Sequence, residues 1–214
     1  MSKIALVRHG QSVWNLKNLW TGWRDVTLTK KGKEEAKSAA QYLKDIDFDH
    51  FFTSDLIRAA ETLKIIKAEL RSSSSPTVSH PALKERHYGE FTGKNKWEIQ
   101  EKVGIDHFRK LRRGWDTPIK DGETLKDVFA RVVPYFQDSI MPNLKKGRNV
   151  LLVAHGNTIR ALIKHFENIS NEGIETIELT TGEVIIYEFD TKGKIINKVA
   201  RRRDPDLIGD KRRK

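Results

Sequence analysis

The stretch KIALVRHG, residues 3–10, is a short apolar run that ends on a histidine and a glycine. The same pattern returns in VLLVAHG, residues 150–156. Runs that are apolar at successive positions are typical of strands buried on both faces of a parallel sheet. Ligands of open α/β sheets bind beyond the carboxyl ends of such strands. We therefore expect His9 and His155 to lie together in one site, although 146 positions separate them.

Short apolar runs alternate with helical patterns along the chain, which predicts an α/β fold with one domain over residues 1–200. The expected architecture is a mostly parallel central sheet flanked by helices, with the active site at the carboxyl ends of the strands. Buried strands are predicted at residues 3–7, 51–53 and 148–154, and two or three more within residues 176–199. Helices are predicted after the capping residues Thr29 and Ser54, and in residues 94–114, 123–140 and 158–167.

The composition disfavours several classes of protein. The chain has 214 residues, no cysteine and no apolar run near the roughly 18 residues that cross a bilayer. We therefore expect a cytoplasmic protein without disulfides or a cysteine nucleophile. The net charge of +11 favours anionic partners, and nucleic acid, anionic lipid and small phosphorylated metabolites all fit it. Residues 201–214, with seven basic and three acidic side chains, form a basic C-terminal tail.

Motifs of several enzyme classes are missing from the sequence. It contains no G-x-x-x-x-G-K-[ST], G-x-G-x-x-G, H-E-x-x-H or G-x-S-x-G segment. These absences argue against an ATPase, a dinucleotide enzyme, a zinc protease and a serine hydrolase. The five histidines other than His9 and His155 show no metal-ligand spacing, so we expect no catalytic metal.

The remaining residues fit phosphoryl transfer to a histidine. A neutral imidazole is a good nucleophile near pH 7, and phosphoryl transfer otherwise needs mainly positioning and positive charge around the phosphoryl oxygens. Arg8, next to His9, and Arg58, near the start of a predicted helix, can supply that charge. Glu85, in the segment ALKERHYG, is the candidate proton donor for the leaving oxygen. Taken alone, Arg58 and Glu85 are more typical of solvated surface residues.

Seven segments spread over most of the chain carry a resemblance to a known family. They are LVRHGQSVWN (6–15), LWTGWRDVTL (19–28), TSDLIRAAET (53–62), LKERHYGEFTGKNK (83–96), FRKLRRGWD (108–116), VPYF (133–136) and VAHGNTIRAL (153–162). At these residues the sequence resembles the cofactor-dependent phosphoglycerate mutases of the histidine phosphatase superfamily, in a short form without a long insertion. The RHG element alone indicates only the superfamily, whereas the TGW, ERHYG and RRG segments together are typical of the mutases.

The resemblance implies a role for individual residues. His9 is similar to the residue that carries the phosphoryl group, Glu85 is similar to the proton donor and acceptor, and a clamp on the transferring group would come from Arg8, Arg58 and His155. Further phosphate and substrate ligands would be Ser12, Asn15, Thr21, Gly22, Gly156 and Asn157. The substrate's carboxylate and distal phosphate would be held by Tyr88, Lys96, Arg112 and Arg113, and Arg86 would also bind substrate.

The same resemblance implies a glycolytic and gluconeogenic enzyme that interconverts 3-phosphoglycerate and 2-phosphoglycerate. The priming phosphoryl donor would be 2,3-bisphosphoglycerate, no metal would take part, and the partners would be small phosphoglycerates without nucleic acid or membrane. The segment between Arg113 and Val133 is compact where many relatives have an insertion, from which we expect a monomer or homodimer. Related mutases use a C-terminal tail as a cover, so we expect residues 201–214 to close over the loaded site.

Two other functions remain open at this point. A phosphatase of the same superfamily would use His9 and Glu85 to pass the phosphoryl group to water. A polyanion-binding module would account for the net charge of +11, but it leaves both strand-end His-Gly pairs unexplained.

Overall fold

A six-stranded sheet forms the centre of the computed structural model, which describes residues 1–201. The strands are β1 Ser2–Arg8, β2 His50–Thr53, β3 Thr77–Ser79, β4 Val150–Ala154, β5 Val184–Phe189 and β6 Ile195–Arg201. They lie in the order β3-β2-β4-β1-β5-β6, in which β1 to β4 are parallel and β5 is antiparallel to both of its neighbours. The predicted mostly parallel α/β sheet is therefore confirmed. The predicted basic tail lies outside the described residues, apart from Arg201 at the end of β6.

Helices connect most of the strands. Within residues 1–201 the α-helices are α1 Val13–Leu16, α2 Lys30–Gln41, α3 Ile57–Glu69, α4 Lys96–Val103, α5 Ile105–Arg113, α6 Leu125–Tyr135, α7 Met141–Lys145 and α8 Gly156–Glu167. Short 3₁₀ turns occur at Pro81–Leu83, Gly89–Phe91 and Gly173–Thr176, and a π-helical turn at Phe136–Ile140. Over the part of the chain that the structure describes, none of these helices has the length and apolar character needed to span a bilayer.

One predicted helix is interrupted in the structure, another changes its geometry near a proline, and one predicted cap is confirmed. The helix expected at residues 94–114 is two helices, because Gly104 between them has a φ of 78°, a left-handed conformation that glycine adopts easily. Pro134 lies inside α6 and a π-helical turn follows that helix, as expected where proline removes an amide donor. Thr29 caps α2 as predicted, since its side chain accepts from the Gly32 amide.

Ser54 is not the capping residue of the helix that follows it, so that prediction was wrong. Helix α3 begins after Leu56, whose side chain makes no capping hydrogen bond. The Ser54 hydroxyl lies instead 2.7 Å from Nε2 of His155, at the end of the neighbouring strand. The Ser54 hydroxyl therefore links the ends of two neighbouring strands and does not cap a helix.

Helices cover both faces of the sheet. Ile4 and Leu6 of β1 face one core, formed with α6, α7 and α8, whereas Ala5 and Val7 face a second core formed with α2 and α3. All four side chains are fully buried. A strand buried on both faces needs apolar side chains at successive positions, which explains the pattern of β1.

The pairing of β1 with β4 brings two loops to the same edge of the sheet. Arg8 is in register with Ala154, and the His9 amide donates to the Ala154 carbonyl at 2.9 Å. His9 and His155 therefore leave the sheet side by side, at the carboxyl ends of two parallel strands.

Candidate active site

The two strand-end histidines lie against each other. Their ring centroids are 5.0 Å apart, and the ring planes meet at 61°. His9 is 2% exposed and His155 is fully buried. The prediction that these two distant residues meet at one edge of the sheet is confirmed.

Hydrogen bonds place the proton of His9 on one ring nitrogen. Nδ1 lies 2.7 Å from the Gly10 carbonyl, which can only accept, so Nδ1 carries the hydrogen. Nε2 accepts from Nε of Arg58 at 3.3 Å, so it keeps its lone pair. Burial, and then the charges of Arg58 and Arg8, hold the pKa of His9 well below its usual value. The imidazole is therefore neutral at pH 7, with Nε2 as the nucleophilic atom.

Arg58 is held in place by the loop between α1 and α2. It is the second residue of α3 and only 1% exposed. Nη2 donates to the Gly22 carbonyl at 2.8 Å, and Nη1 donates to the Arg24 carbonyl at 3.0 Å. Burial lowers the pKa of Arg58 to about 10, so the guanidinium stays charged at pH 7.

Two buried nitrogens beside the histidine pair have no hydrogen-bond partner among residues 1–201, namely Nδ1 of His155 and Nε of Arg8. The Ser54 hydroxyl accepts from the Leu56 amide at 3.3 Å and can donate its own hydrogen to Nε2 of His155. With the hydroxyl donating in this way, the hydrogen of His155 is on Nδ1. Burial holds the pKa of His155 well below its usual value. Because buried donors without a partner are costly, both nitrogens fit a bound anion.

The Glu85 carboxylate is held by one of its two oxygens. Oε1 accepts from the main-chain amides of Arg86 at 2.7 Å and Asn157 at 3.2 Å, and from Nδ2 of Asn157 at 3.0 Å. The hydrogen bonds from described residues to this carboxylate all go to Oε1. A Cβ added to Gly156 would lie 3.7 Å from Oε2 and 3.6 Å from Nε of Arg8. The glycine therefore leaves open the space between Oε2 and the Arg8 guanidinium.

Arg131 fixes the segment that carries Glu85. Its guanidinium donates to the carbonyls of Ala82, Lys84 and Glu85 at 2.8 to 3.0 Å. It also donates two charge-assisted hydrogen bonds to the Glu123 carboxylate, at 2.7 and 2.8 Å. The position of the candidate acid thus depends on an arginine outside the motifs that sequence analysis singled out.

The side chain of Arg86 lies away from the cavity, which corrects the expectation that it contacts substrate. Its guanidinium donates to the carbonyls of Leu111 at 2.9 Å, Thr117 at 3.3 Å and Glu123. The side chain is fully buried. Arg86 contributes to the site through its main-chain amide, which holds Glu85.

Two cavities meet at these residues. The first, of about 60 Å³, contains His9 and Arg58 together with Asn15 and Thr21. The second, of about 110 Å³, extends to Arg112. The two cavities share four of their lining residues, which are Arg8, Glu85, Tyr88 and Lys96. The cavities therefore form one binding site with two ends.

Positive charge dominates the second cavity. Five cationic side chains line it, against two carboxylates, and these are Arg8, Lys96, Arg112, Arg113 and Arg160 against Glu85 and Glu178. Glu178 forms an ion pair with Arg113. Burial, and then the charges of Arg112 and Arg8, lower the pKa of Lys96 to about 7. An anion bound beside Lys96 would favour its protonated form, so anion binding and proton uptake are coupled there.

Tyr88 lines both cavities and contacts Asn157, which lines the second. Nδ2 of Asn157 donates to the Tyr88 hydroxyl at 2.8 Å. Burial, and then the charge of Glu85, raise the pKa of Tyr88, so its hydroxyl keeps a proton that it can donate to an anion. The tyrosine ring packs against Trp20, with ring centroids 4.6 Å apart.

Most of the predicted site residues line the two cavities. They are Arg8, His9, Asn15, Thr21, Arg58, Glu85, Tyr88, Lys96, Arg112, Arg113, Gly156 and Asn157. Three others do not line either cavity but contact residues that do. Ser12 caps α1 by accepting from the Asn15 amide at 3.2 Å, Gly22 holds Arg58 through its carbonyl, and His155 contacts His9.

Four cavity residues were missed by sequence analysis, namely Trp20, Arg160, Glu178 and Leu179. The sequence does carry a signal for one of them. Arg160 stands between apolar residues in a helix that follows a buried strand, and buried arginines are rare unless they are paired. No comparable pattern marks Glu178, which lies in a loop.

No set of three or more histidine, cysteine, aspartate or glutamate side chains within residues 1–201 lies close enough together to hold a metal ion.

Comparison with known proteins gives matches over nearly the whole described chain. Residues 4–201 match the histidine phosphatase superfamily (branch 1). The chain is similar to the 2,3-bisphosphoglycerate-dependent phosphoglycerate mutase of Cytophaga hutchinsonii, with 47% identity over 192 residues that cover 90% of each chain. A protein of the same name from Parvibaculum lavamentivorans is 44% identical over 197 residues, 91% of this chain and 94% of its own. Among solved structures, Bacillus stearothermophilus YhfR superposes with a TM-score of 0.80 and 26% identity, over 92% of this chain and 95% of its own.

Proposed function

Because the chain belongs to the histidine phosphatase superfamily, and within it to the 2,3-bisphosphoglycerate-dependent phosphoglycerate mutases, we propose that it interconverts 3-phosphoglycerate and 2-phosphoglycerate through a phosphohistidine at His9. The reaction moves a phosphoryl group between two oxygens of one three-carbon acid. It is a step of glycolysis and gluconeogenesis.

The pair of joined cavities is the observation that carries this proposal. A phosphatase must hold the phosphoryl group that it transfers to water, and the rest of its substrate need not be anionic. The substrate of a phosphoglycerate mutase carries a carboxylate as well as a phosphate, roughly −3 in total near pH 7. The second cavity, with five cationic side chains against two carboxylates, supplies charge of the right sign for the end of the molecule that does not react.

We assign the nucleophile to Nε2 of His9. His9 lines the first cavity, and the hydrogen bond from Nδ1 to the Gly10 carbonyl keeps the imidazole in the required tautomer. Arg8 and Arg58 would stabilise the charge on the transferring phosphoryl group, together with His155. Asn15 and Thr21 would add hydrogen bonds.

The residues present fit 2,3-bisphosphoglycerate, which supplies a phosphoryl group to His9 when it is bound. The unpartnered buried nitrogens of Arg8 and His155 lie beside His9. Arg112 and Arg113 line the other end of the site, where a second phosphate would need cations. Tyr88 would donate to the same ligand.

Glu85 is the proposed acid and base. The 2-hydroxyl of 3-phosphoglycerate attacks phospho-His9 while Oε2 of Glu85 takes the hydroxyl proton, so that the P–N bond breaks as a P–O bond forms. The bisphosphoglycerate formed in this way turns over within the site, which brings its 3-phosphoryl group to His9. Nε2 of His9 then attacks the 3-phosphoryl group, and Oε2 returns the proton to the 3-oxygen as that P–O bond breaks. The product is 2-phosphoglycerate, and phospho-His9 is restored.

The alternative with the same residues is a phosphatase, in which water replaces the 2-hydroxyl. The second cavity favours the mutase, because its cations suit a second anionic group that hydrolysis does not require. We propose that residues 201–214 exclude water when the site is loaded. A polyanion-binding module leaves the buried histidine pair without a use.

We propose a cytoplasmic enzyme that acts as a monomer or homodimer, with small phosphoglycerates as its partners. The basis is the compact segment between Arg113 and Val133 and the metabolic setting of the proposed reaction.

The proposal is tested by supplying 3-phosphoglycerate and measuring both 2-phosphoglycerate and free phosphate, with and without 2,3-bisphosphoglycerate. We expect isomerisation that depends on 2,3-bisphosphoglycerate and exceeds phosphate release. Arg112→Ala should raise KM for 3-phosphoglycerate by about 10- to 100-fold, because it removes a charge-assisted hydrogen bond. Arg109→Ala, on the exposed part of the same helix, is the matched control. Phosphate release without isomerisation would identify a phosphatase instead.

A further inference from the structure

Arg160 is a buried arginine that borders the second cavity. It lies in α8, three residues after Asn157, and is 2% exposed. Nη1 donates to Oδ1 of Asn157 at 2.8 Å, and Nη2 donates to the carbonyls of Arg113 at 2.6 Å and Ile174 at 2.8 Å. Charged side chains are rarely this buried unless they are paired or hydrogen-bonded, so these contacts account for the position of the guanidinium.

The contact with Arg160 decides the orientation of the Asn157 amide. A guanidinium has donors only, so the amide atom that faces it is the oxygen Oδ1. Nδ2 then faces the opposite side, where it donates to Oε1 of Glu85 at 3.0 Å and to the Tyr88 hydroxyl at 2.8 Å. A reversed amide would place Oδ1 against Oε1, and two acceptors would repel each other.

The orientation of the Asn157 amide supplies one of the three N–H groups that hold Oε1 of Glu85, and the main-chain amides of Arg86 and Asn157 supply the other two. With Oε1 held by three N–H groups, the carboxylate cannot rotate without losing all of them. Oε2 is then the oxygen that faces the open space beside Gly156 and Arg8. A chain of contacts therefore runs from Arg160 through Asn157 to the atom that would exchange a proton with the substrate.

We infer that Arg160 is a positioning residue, which orients the Asn157 amide so that Nδ2 holds Oε1 of Glu85 and Oε2 remains free for proton transfer. The inference rests on the proposed function, in which Glu85 is the acid and base. Arg160 moves no proton itself, and its effect on turnover passes through Asn157.

A double-mutant cycle on kcat tests this path. The proteins are the wild type, Arg160→Met, Asn157→Ala and the double variant, each assayed for conversion of 3-phosphoglycerate in the presence of 2,3-bisphosphoglycerate. Each single substitution should lower kcat by about 10- to 100-fold, the loss expected for one hydrogen bond to a charged group. Arg160→Met should cost less than about 3-fold in the Asn157→Ala background, because the residue through which it acts is already missing.

An equal loss in both backgrounds would overturn the inference, since Arg160 would then act independently of Asn157. Lys164→Met is the matched control, because Lys164 lies one turn further along α8 and also donates to a carbonyl, that of Ile169 at 2.6 Å. It should keep kcat within about 2-fold of the wild type.

A second variant keeps the test open if Arg160→Met does not fold. Asn157→Asp retains an acceptor for Arg160 but replaces the donor that faces Glu85 with a carboxylate oxygen. It should lose at least as much kcat as Asn157→Ala, and a normal kcat would overturn the inference. If the wild type releases phosphate without isomerisation, the proposed function fails, and the same cycle measured on phosphate release gives the same two outcomes for Arg160.

Discussion

Lowering the pH from 7 to 5 should destabilise the folded protein through its two buried histidines. The pKa values of His9 and His155 are held well below the ordinary value, first by burial and then by neighbouring positive charge. The unfolded chain binds a proton at each of these residues below about pH 6.5, whereas the folded protein does not. Because the unfolded state binds more protons in this range, the free energy of unfolding falls as the pH falls below about 6.5.

The size of the effect follows from the same linkage. A histidine that stays neutral in the folded protein at pH 5 lowers the free energy of unfolding by about 2 kcal/mol relative to high pH. Two such histidines lower it by about 4 kcal/mol, a large part of the roughly 5–15 kcal/mol that stabilises most domains. The lowered pKa of His9 also keeps its Nε2 unprotonated and nucleophilic in mildly acidic solution.

Urea unfolding at pH 7 and pH 5 measures this difference. The wild type should lose about 4 kcal/mol more than the variant that carries both His9→Asn and His155→Asn, since asparagine does not titrate. His165→Asn is a separate comparison, because burial also lowers the pKa of His165. Equal losses in the wild type and the double variant would show that the folded protein does not keep the two imidazoles neutral.

Three further outcomes are expected. Glu85→Gln should lower turnover by roughly 10²- to 10⁴-fold with a much smaller change in substrate binding. The control Glu90→Gln, at an exposed position, should leave turnover unchanged. A nearly normal rate for Glu85→Gln would assign the proton transfer to another group. Isomerisation should persist in a metal chelator, because arginines supply the charge around the phosphoryl group, and a loss that magnesium restores would refute this. Truncation after Ala200 should lower mutase turnover and raise the ratio of hydrolysis to isomerisation, while phospho-His9 still forms. An unchanged ratio would leave the tail without a role.

The approach of His9 to His155 could be predicted from sequence because it depends on strand pattern alone. Two runs that are apolar at every position must be buried on both faces, and parallel strands in one sheet deliver their following residues to the same edge. The composition and the motifs were also enough to predict that positive charge dominates the site. The register that sets His9 beside Ala154 adds the geometry that the pattern leaves open.

Side-chain directions could not be predicted in the same way. Ser54 and Arg86 both fit local rules, a helix cap and a ligand beside the candidate carboxylate Glu85, yet each is hydrogen-bonded to a residue distant in sequence. Which of two adjacent residues faces the cavity is decided by such tertiary partners. Arg160 shows the opposite case, since its isolated charge on a buried helix is visible in the sequence but its partners are not.

The most direct test of the proposed mechanism is the identity of the residue that accepts a phosphoryl group from 2,3-bisphosphoglycerate. We predict a phosphoryl adduct that is labile in acid and stable in base, as a P–N bond requires, and that peptide mass spectrometry maps to His9. His9→Ala should form no adduct and should not isomerise 3-phosphoglycerate. An adduct that maps to another residue, or one that survives in His9→Ala, would contradict the account.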